Sequence, residues 1–207
     1  MALSWSKTTK HRDKLVIWDV PIIKKNTENP WELLREYVNN DDTVLEVGAG
    51  EAPYRKNFPK TLKYKTMDVD PEVKVDYSSL KKIKEKFDSV WMLNLVEHLT
   101  IPQLEGYAED IKKVLKPNGR LIIWTHNVYA IPDITHYDFS HVQHYPLADL
   151  YGILNNHGYN LDRVYRVLDN RGIRKLRNPF KRLICGILGV DYAWGLLLVL
   201  KKARVRA

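Results

Sequence analysis

Cysteine is almost absent from this chain, because Cys185 is the only one among 207 residues. A single thiol excludes an internal disulfide and any cysteine-rich metal cluster, so we expect a protein of the reducing cytoplasm. Long apolar runs are missing as well. The apolar stretches at residues 15–18 and 196–200 are too short for a signal-peptide core or a membrane span. We therefore predict no transmembrane segment and no secretion signal.

Acidic residues are outnumbered, with 25 Asp and Glu against 33 Lys and Arg, which gives a formal charge of +8. This excess favours an anionic partner such as nucleic acid, a phosphorylated substrate or an anionic membrane. A content of 44% hydrophobic residues and no repeat predict one domain with one core. We place that domain at residues 29–207. Residues 1–28 are basic and poorly patterned, and we interpret them either as a solvated arm with a short edge strand or helix, or as a lid over the cofactor.

The most informative stretch is residues 43–50, T-V-L-E-V-G-A-G. A run rich in β-branched residues that ends in two glycines predicts a buried strand and a tight turn, where a missing Cβ lets a ligand approach the backbone. Pro53 predicts that a helix begins near residues 52–55, because proline fits the first helical turn. Strand, glycine turn and helix together form a nucleotide cradle. Pro53 also replaces the third glycine of a dinucleotide fingerprint, which disfavours an NAD-dependent oxidoreductase.

Further strands alternate with helical segments along the chain. We predict them at residues 63–68, 73–76, 87–94, 120–125, 160–168 and 192–201. The second strand of the series ends at Asp68, twenty residues after Gly48. A carboxylate at this place can accept hydrogen bonds from both hydroxyls of a ribose. The alternative is an ordinary turn that begins at Asp68, in D-V-D-P.

Three stretches carry a resemblance to a known family. Glu46-x-Gly48-x-Gly50 resembles motif I of the class I S-adenosylmethionine-dependent methyltransferases. N-L-V-E-H-L at 94–99 and L-K-P-N-G-R-L at 115–121 are similar to motifs of the type 11 families of that class. In the second of these, Asn118 replaces a glycine, and we expect it to adopt the left-handed conformation of a turn. With Asp68, the motifs follow the family's order over residues 40–125, the cofactor half of the chain.

The resemblance implies an α/β fold, in which a doubly wound, mostly parallel seven-stranded Rossmann-like sheet has an antiparallel last strand. It implies S-adenosylmethionine as cofactor, with Glu46 near its methionine end and Asp68 at its ribose. The residues implied to bind the cofactor are Glu46, Gly48, Ala49, Gly50, Asp68, Val69, Asp76, Tyr77, Asn94 and Leu95. Asp76 and Tyr77 would edge the adenine.

The predicted function is methyl transfer to an oxygen or nitrogen of a small or carrier-linked acceptor. This acceptor could be an anionic saccharide or a lipid-linked molecule. Two alternatives stay open. One is an RNA methyltransferase, and the other is a catalytically silent, methyltransferase-like binding subunit.

The loop after the fifth strand is rich in histidine and acid. Within nineteen residues it contains His126, Asp133, His136, Asp138, His141 and His144. A neutral histidine can take the acceptor's proton as the methyl group arrives. We predict His141 as this base, with its tautomer set by Asp138 three residues earlier on a helical turn, and His98 as the alternate. His136 completes the catalytic candidates.

The same loop has two other interpretations. Its histidines could simply cap and hydrogen-bond a polar loop. They could also hold a divalent metal that orients the acceptor oxygen. Some quinone-pathway relatives bind such an ion with an E-x-x-E-H stretch, but Asn94 stands at the first of those carboxylates, so we expect no metal.

A basic segment lies between the last two predicted strands. From residue 163 to residue 182 it has eight basic residues against one acid, with an apolar stripe. One interpretation is a helix that covers the sheet and exposes a solvated basic face. The other is a surface for an anionic membrane or RNA. Its candidate contacts are Arg174, Lys175, Arg177, Lys181 and Arg182.

Overall fold

The computed structural model describes residues 5–20, 22–23, 31–130, 138–168, 180, 183, 187–188 and 190–203. Seven strands form one sheet: β1 (Ile22–Ile23), β2 (Thr43–Val47), β3 (Lys63–Met67), β4 (Phe87–Leu93), β5 (Leu115–His126), β6 (Tyr159–Val167) and β7 (Gly195–Lys202). The helices of this part of the chain are α1 (Trp5–Thr9), α2 (Trp31–Arg35), α3 (Ile101–Val114) and α4 (Leu147–Asn156). Short 3₁₀ turns lie at Ile17–Asp19, Arg55–Asn57, Leu80–Lys82 and Val96–His98. None of the described helices is long and apolar enough to cross a membrane.

The strand order is β3-β2-β4-β5-β7-β6-β1. All neighbouring strands are parallel except β7, which runs antiparallel to both β5 and β6. The mostly parallel sheet with an antiparallel last strand is therefore confirmed. The chain leaves β2 toward β3 on one side and returns to β4 on the other, so the order reverses between β2 and β4. Ligands bind at the carboxyl ends of the strands at such a switch point.

Both faces of the sheet are covered, because the strand residues alternate between two apolar layers. On β4, Val90 and Met92 pack on the face that carries α3 and α4. Trp91 and Leu93 point to the opposite face, where Leu34 of α2 covers them. A sheet buried on both sides explains the apolar runs of its central strands, V-W-M-L in β4 and L-L-L-V-L in β7.

The seven strands are not the seven that we predicted. The segment 73–76 forms no strand; the nearby contact is a single bridge between Met67 and Tyr77. The Asp76 carboxylate accepts hydrogen bonds from the backbone N–H of Thr66 at 2.9 Å and from Lys65 Nζ at 2.8 Å. A side chain therefore fastens this segment to β3 in place of a backbone ladder. The seventh strand is the short β1, which pairs with β6 at the other edge.

Two predictions of local backbone conformation are wrong: the helix after the glycine turn and the left-handed conformation of Asn118. In place of a helix at residues 52–55 there is a 3₁₀ turn at Arg55–Asn57, preceded by Ala52 with φ of 49°. Left-handed residues at three alternate positions from Gly48 to Ala52 make a wide loop, which delays helical geometry. Asn118 is not left-handed, because its segment belongs to β5, where the pairing with β4 shifts register.

The described part of the N-terminal arm, residues 5–20, is packed on the domain and is not a solvated tail. Thr8 of α1 is buried against Gly152 of α4, where an added Cβ would lie 2.0 Å from the Thr8 carbonyl oxygen. Arg12 donates two hydrogen bonds to the Asp149 carboxylate, at 2.7 and 2.8 Å. These contacts hold the arm over the start of α4.

Candidate active site

The glycine loop after β2 lies at the switch point. Gly48 has φ of +69°, and a Cβ there would lie 2.5 Å from Leu95 Cδ1, so no larger residue fits without rearrangement. Gly50 has φ of +49° and faces open space, with no atom within 4 Å of a built Cβ. Glycine is thus required at position 48 by backbone conformation and close packing. At Gly50 the backbone has no neighbour on its Cβ side and is accessible to a ligand.

Asp68 follows β3 and holds this loop. Its Oδ2 accepts a hydrogen bond from the Gly50 N–H at 2.8 Å, and its Oδ1 accepts one from the Asp70 N–H at 3.0 Å. The second bond is the turn that the sequence offered as the alternative. Both interpretations fit one residue, because each carboxylate oxygen has two lone pairs and can still accept from a ligand hydroxyl.

Glu46 lies directly before the loop on β2 and is only 2% exposed. Tyr64 of β3 donates a hydrogen bond to its Oε2. The pKa of Glu46 is raised to about 7, mainly by burial; the Tyr64 hydrogen bond opposes this rise and the nearby Asp68 charge adds to it. The site therefore contains a buried carboxyl group that a cationic ligand would stabilise in its charged form.

A cleft of about 220 Å³ opens beside Asp68, between the end of β3 and α3. Its lining residues are Met67, Val69, Ser79, Leu80, Gln103, Gly106, Tyr107 and Asp110. Val69, a predicted cofactor residue, is 67% exposed there. The largely apolar walls suit a flat heterocycle next to a ribose-binding carboxylate.

Asp76 and Tyr77, predicted to edge the adenine, do not line this cleft. Asp76 is engaged by β3 as described above. Partial burial raises its pKa, but the hydrogen bonds from Lys65 and Thr66 outweigh this and keep it below the ordinary value. The Tyr77 hydroxyl donates to Glu85. Ser79 and Leu80 line the cleft instead. The sequence analysis missed them, and the only sequence feature that could have indicated them is that they directly follow Asp76 and Tyr77.

Asn94 directly follows β4 and has a left-handed backbone conformation, with φ of 52°. Its backbone N–H donates to the Trp124 carbonyl oxygen at 2.8 Å, and its Nδ2 donates weakly to the Tyr54 hydroxyl at 3.4 Å. Its Oδ1 is buried and accepts no hydrogen bond from the described residues. An unsatisfied buried acceptor beside Leu95 and the glycine loop is a ready contact for a ligand.

Glu97 lies in the 3₁₀ turn after β4 and is 4% exposed. Its Oε2 accepts a hydrogen bond from Thr125 Oγ1 of β5 at 3.0 Å, and its Oε1 lies 3.6 Å from His126 Nδ1. The backbone N–H groups of Val142 and Gln143 donate to the Glu97 carbonyl oxygen at 3.0 and 3.2 Å. These bonds fasten residues 142–143, in the loop after β5, to the turn that follows β4.

Three imidazole rings meet here from three segments of the chain. The ring centroids of His98 and His141 are 4.8 Å apart, and those of His126 and His141 are 4.9 Å apart. We call Glu97, His98, His126 and His141 the histidine cluster. Of the predicted catalytic residues, His98 and His141 are thus brought together, while His136 lies outside the described residues.

Among the hydrogen bonds and ion pairs of the described residues, none joins the Asp138 carboxylate to the His141 ring, so the predicted tautomer-setting contact is not formed. The Asp138 carboxylate instead accepts from the Ser140 N–H at 2.9 Å and from Ser140 Oγ at 2.6 Å, because an Asp in a turn bonds the backbone two residues on. These bonds hold the pKa of Asp138 below its ordinary value. Ser140 in turn contacts His98 Nδ1, with its carbonyl oxygen at 3.1 Å and its Oγ at 3.0 Å. Asp138 therefore orients His98 through Ser140.

A second cavity, of about 430 Å³, lies between the arm and the loop after β5. Its lining residues are Arg12, Leu15, Val16, Ile17, Tyr129, Pro146, Ala148 and Asp149. The sequence analysis missed this cavity, because only folding brings residues 12–17 to residues 129–149. The basic contacts predicted for a membrane or RNA, at residues 174–182, lie outside the described residues.

A buried polar network supports this edge of the sheet. Asp191 is fully buried and accepts hydrogen bonds from Arg166 NH1 at 3.2 Å and from Asn127 Nδ2 at 2.8 Å. Arg166 Nε donates to the Val20 carbonyl oxygen at 2.9 Å. The network joins the arm, β6 and the segments flanking β5 and β7. Arg166 shares β6 with Arg163 and Asp162, so no feature of the sequence distinguished it as the buried one.

A profile of the family described as "Methyltransferase domain" matches residues 24–164. The fold is similar to that of a SAM dependent methyltransferase from Archaeoglobus fulgidus, with 16% identity, TM-score 0.68, and coverage of 84% of this chain and 92% of that chain. It is also similar to an S-adenosylmethionine dependent methyltransferase from Mesorhizobium loti, with 13% identity, TM-score 0.60, and coverage of 84% and 97%. A third similar chain belongs to a Haloferax volcanii complex of a methyltransferase with the Trm112 methyltransferase activator, at 15% identity, TM-score 0.62, and coverage of 86% and 90%. No curated protein gives a significant sequence match.

Proposed function

Because the chain belongs to the methyltransferase domain family and is an S-adenosylmethionine-dependent methyltransferase, we propose that it methylates an oxygen or nitrogen of a small or carrier-linked acceptor. The observation that carries the proposal is the position of the histidine cluster. Glu97 and His98 follow Leu95, which packs directly against Gly48 of the glycine loop. Groups that can handle a proton thus lie next to the loop expected to bind the cofactor.

The residues of the switch point fit this cofactor. When bound, it supplies a methyl group on a positively charged sulfur. The bare backbone at Gly50 allows a close approach, and the Asp68 carboxylate beside it can accept from two ribose hydroxyls. Asn94 Oδ1 and the buried Glu46 carboxyl group provide acceptors for the cationic methionine end.

Positioning is the main task of the protein in this chemistry. Holding the acceptor atom in line with a reactive methyl group can contribute ~7–11 kcal/mol to catalysis. The acceptor must also lose a proton. A carbonyl oxygen can only accept, so in the neutral ring the Ser140 contact favours the tautomer with the proton on His98 Nδ1 and the lone pair on Nε2. We assign proton acceptance to His98 or to the adjacent His141.

The second cavity is the candidate acceptor site. Leu15, Val16 and Tyr129 give it apolar walls, and the Arg12 and Asp149 side chains that also line it are paired with each other. This lining supports an acceptor with an apolar part, and the chain's formal charge of +8 favours an anionic group on the same molecule. A lipid-linked acceptor, including a lipid-linked saccharide, has both.

The test is transfer of a labelled methyl group to a panel of lipid-linked saccharides, small hydroxylated anions and total RNA. We expect label in the first two classes, and loss of transfer in His98→Ala and His141→Ala with cofactor binding retained in calorimetry. His157→Ala is the matched control, because its imidazole pairs with Glu105 and Glu109 between α3 and α4. Label in RNA alone would favour the RNA alternative. Tight cofactor binding with no transfer to any acceptor would favour a silent subunit.

A further inference from the structure

Three side chains of the histidine cluster are arranged as ligands of one cation. One candidate ligand atom each from Glu97, His98 and His141 lie within 4.8 Å of one another. Two ligands of a tetrahedral transition metal, each about 2.0–2.2 Å from it, are about 3.3–3.6 Å apart. A contraction of at most about 1.5 Å in these separations, through side-chain rotation, would let one ion contact all three.

The Glu97 carboxylate is the first independent sign of a ligand. Its Oε2 is held by Thr125, but its Oε1 is buried and accepts no hydrogen bond within the part of the chain that the structure describes. Leaving a buried carboxylate oxygen unsatisfied is costly, and buried charges are normally paired or bound to metal. A cation at the cluster would satisfy this oxygen.

The surroundings of His98 are the second sign. Its Nδ1–H donates to the Ser140 carbonyl oxygen, and Ser140 Oγ, itself bonded to Asp138, lies at 3.0 Å from the same nitrogen. Histidines that bind metals characteristically donate their other ring N–H to a carbonyl or carboxylate, which fixes the tautomer and the ring orientation. His98 Nε2 is thereby prepared to bind an ion.

We propose that Glu97, His98 and His141 bind one divalent transition-metal ion, of the zinc, cobalt or manganese type. Two imidazoles and one carboxylate suit these ions, whereas Mg²⁺ and Ca²⁺ prefer oxygen ligands alone. His126, at 3.6 Å from Glu97, flanks the site. The sequence analysis expected no metal because Asn94 replaces a carboxylate, but the fold places His141 at the cluster as a third ligand.

The inference rests on the proposed function and changes how the cluster serves it. Three protein ligands leave a coordination position for the acceptor oxygen, and a bound metal lowers the pKa of such a hydroxyl. The O–H bond breaks and its proton passes to solvent. The oxygen electron pair then forms the bond to the methyl carbon, while the carbon–sulfur bond breaks and its pair stays on sulfur. His98 and His141 act as ligands in this scheme and do not take the proton.

The experiment measures metal binding without any need for turnover. Protein freed of metal by a chelator and dialysis is titrated with Co²⁺, followed by visible absorption, and with Zn²⁺ and Mg²⁺, followed by calorimetry. We expect one Co²⁺ or Zn²⁺ per chain and little binding of Mg²⁺. His98→Ala and His141→Ala each remove one ligand and should abolish this binding.

His157→Ala is the control here too, because it removes a histidine from the carboxylates Glu105 and Glu109 at another place. Circular dichroism and cofactor binding check that each variant is folded. The site is supported if the wild type binds one Co²⁺ or Zn²⁺ per chain, if both cluster variants lose this binding, and if His157→Ala keeps it. No binding of Co²⁺ or Zn²⁺ by the wild type, unchanged binding in the cluster variants, or loss in His157→Ala would overturn it.

Labelled methyl transfer by metal-free protein separates the two proposals. Transfer that persists without metal, and is lost in His98→Ala, overturns the metal's role in the reaction and leaves the methyl transfer standing. Stoichiometric metal binding by the cluster with no transfer to any acceptor supports the metal site while the proposed function fails.

Discussion

The buried Glu46 predicts an unusual dependence of stability on pH. Its carboxyl group is 2% exposed, and burial raises its pKa to about 7 from an ordinary value of 4.5. The informative perturbation is Glu46→Gln. The amide has the same shape, its oxygen can still accept the hydrogen bond from Tyr64, and it does not titrate.

The magnitude follows from linkage. Each pKa unit corresponds to about 1.36 kcal/mol, so the change from 4.5 to about 7 amounts to roughly 3 kcal/mol. Below pH 4.5 the group is protonated in both the folded and the unfolded states. As the pH rises toward 7, the unfolded state ionises first, and the free energy of unfolding falls. Between about pH 5 and about pH 8 the wild type should lose roughly 2.5 kcal/mol that Glu46→Gln keeps.

The assay is urea unfolding, followed by tryptophan fluorescence, at several pH values across this range. Other carboxyl groups and histidines also titrate, so the quantity to compare is the difference between wild type and variant at each pH. A constant cost of burying the amide cancels in that comparison. Glu72→Gln removes the same charge from an exposed position and is the matched control. Parallel curves for wild type and Glu46→Gln would refute the reasoning.

Three further predictions concern other parts of the fold. Asp68→Ala should weaken binding of the cofactor or its homocysteine product about 10–100-fold, since hydrogen bonds to a charged group contribute about 1.5–3 kcal/mol; unchanged affinity in calorimetry would contradict the ribose assignment. Gly152→Ala places a Cβ 2.0 Å from the Thr8 carbonyl oxygen and should displace the arm, seen as faster limited proteolysis within residues 5–20. Asp191→Ala leaves the buried Arg166 without its carboxylate and should reduce the free energy of unfolding by about 3–5 kcal/mol, measured in urea; a loss below about 1 kcal/mol would show that the ion pair is not needed.

The sequence by itself determined the elements whose signals are local. Residues 43–50 predicted β2 and the glycine loop, because β-branched residues favour an extended backbone and the two glycines that follow permit the left-handed turn. The same kind of signal located β3, β4 and β7, and motif order identified the methyltransferase family that the profile match confirmed. These predictions needed no knowledge of distant contacts.

Only the tertiary structure decided which side chains meet. Asp138 is three residues from His141, yet its carboxylate bonds Ser140, and His141 reaches His98 instead. Asp76 was placed at the adenine by its position in the chain, but Lys65 and Thr66 engage it. The Asp138 bond is a local turn contact, but the meeting of His141 with His98 and of Asp76 with β3 depends on packing between segments separated in the sequence, which no local pattern encodes.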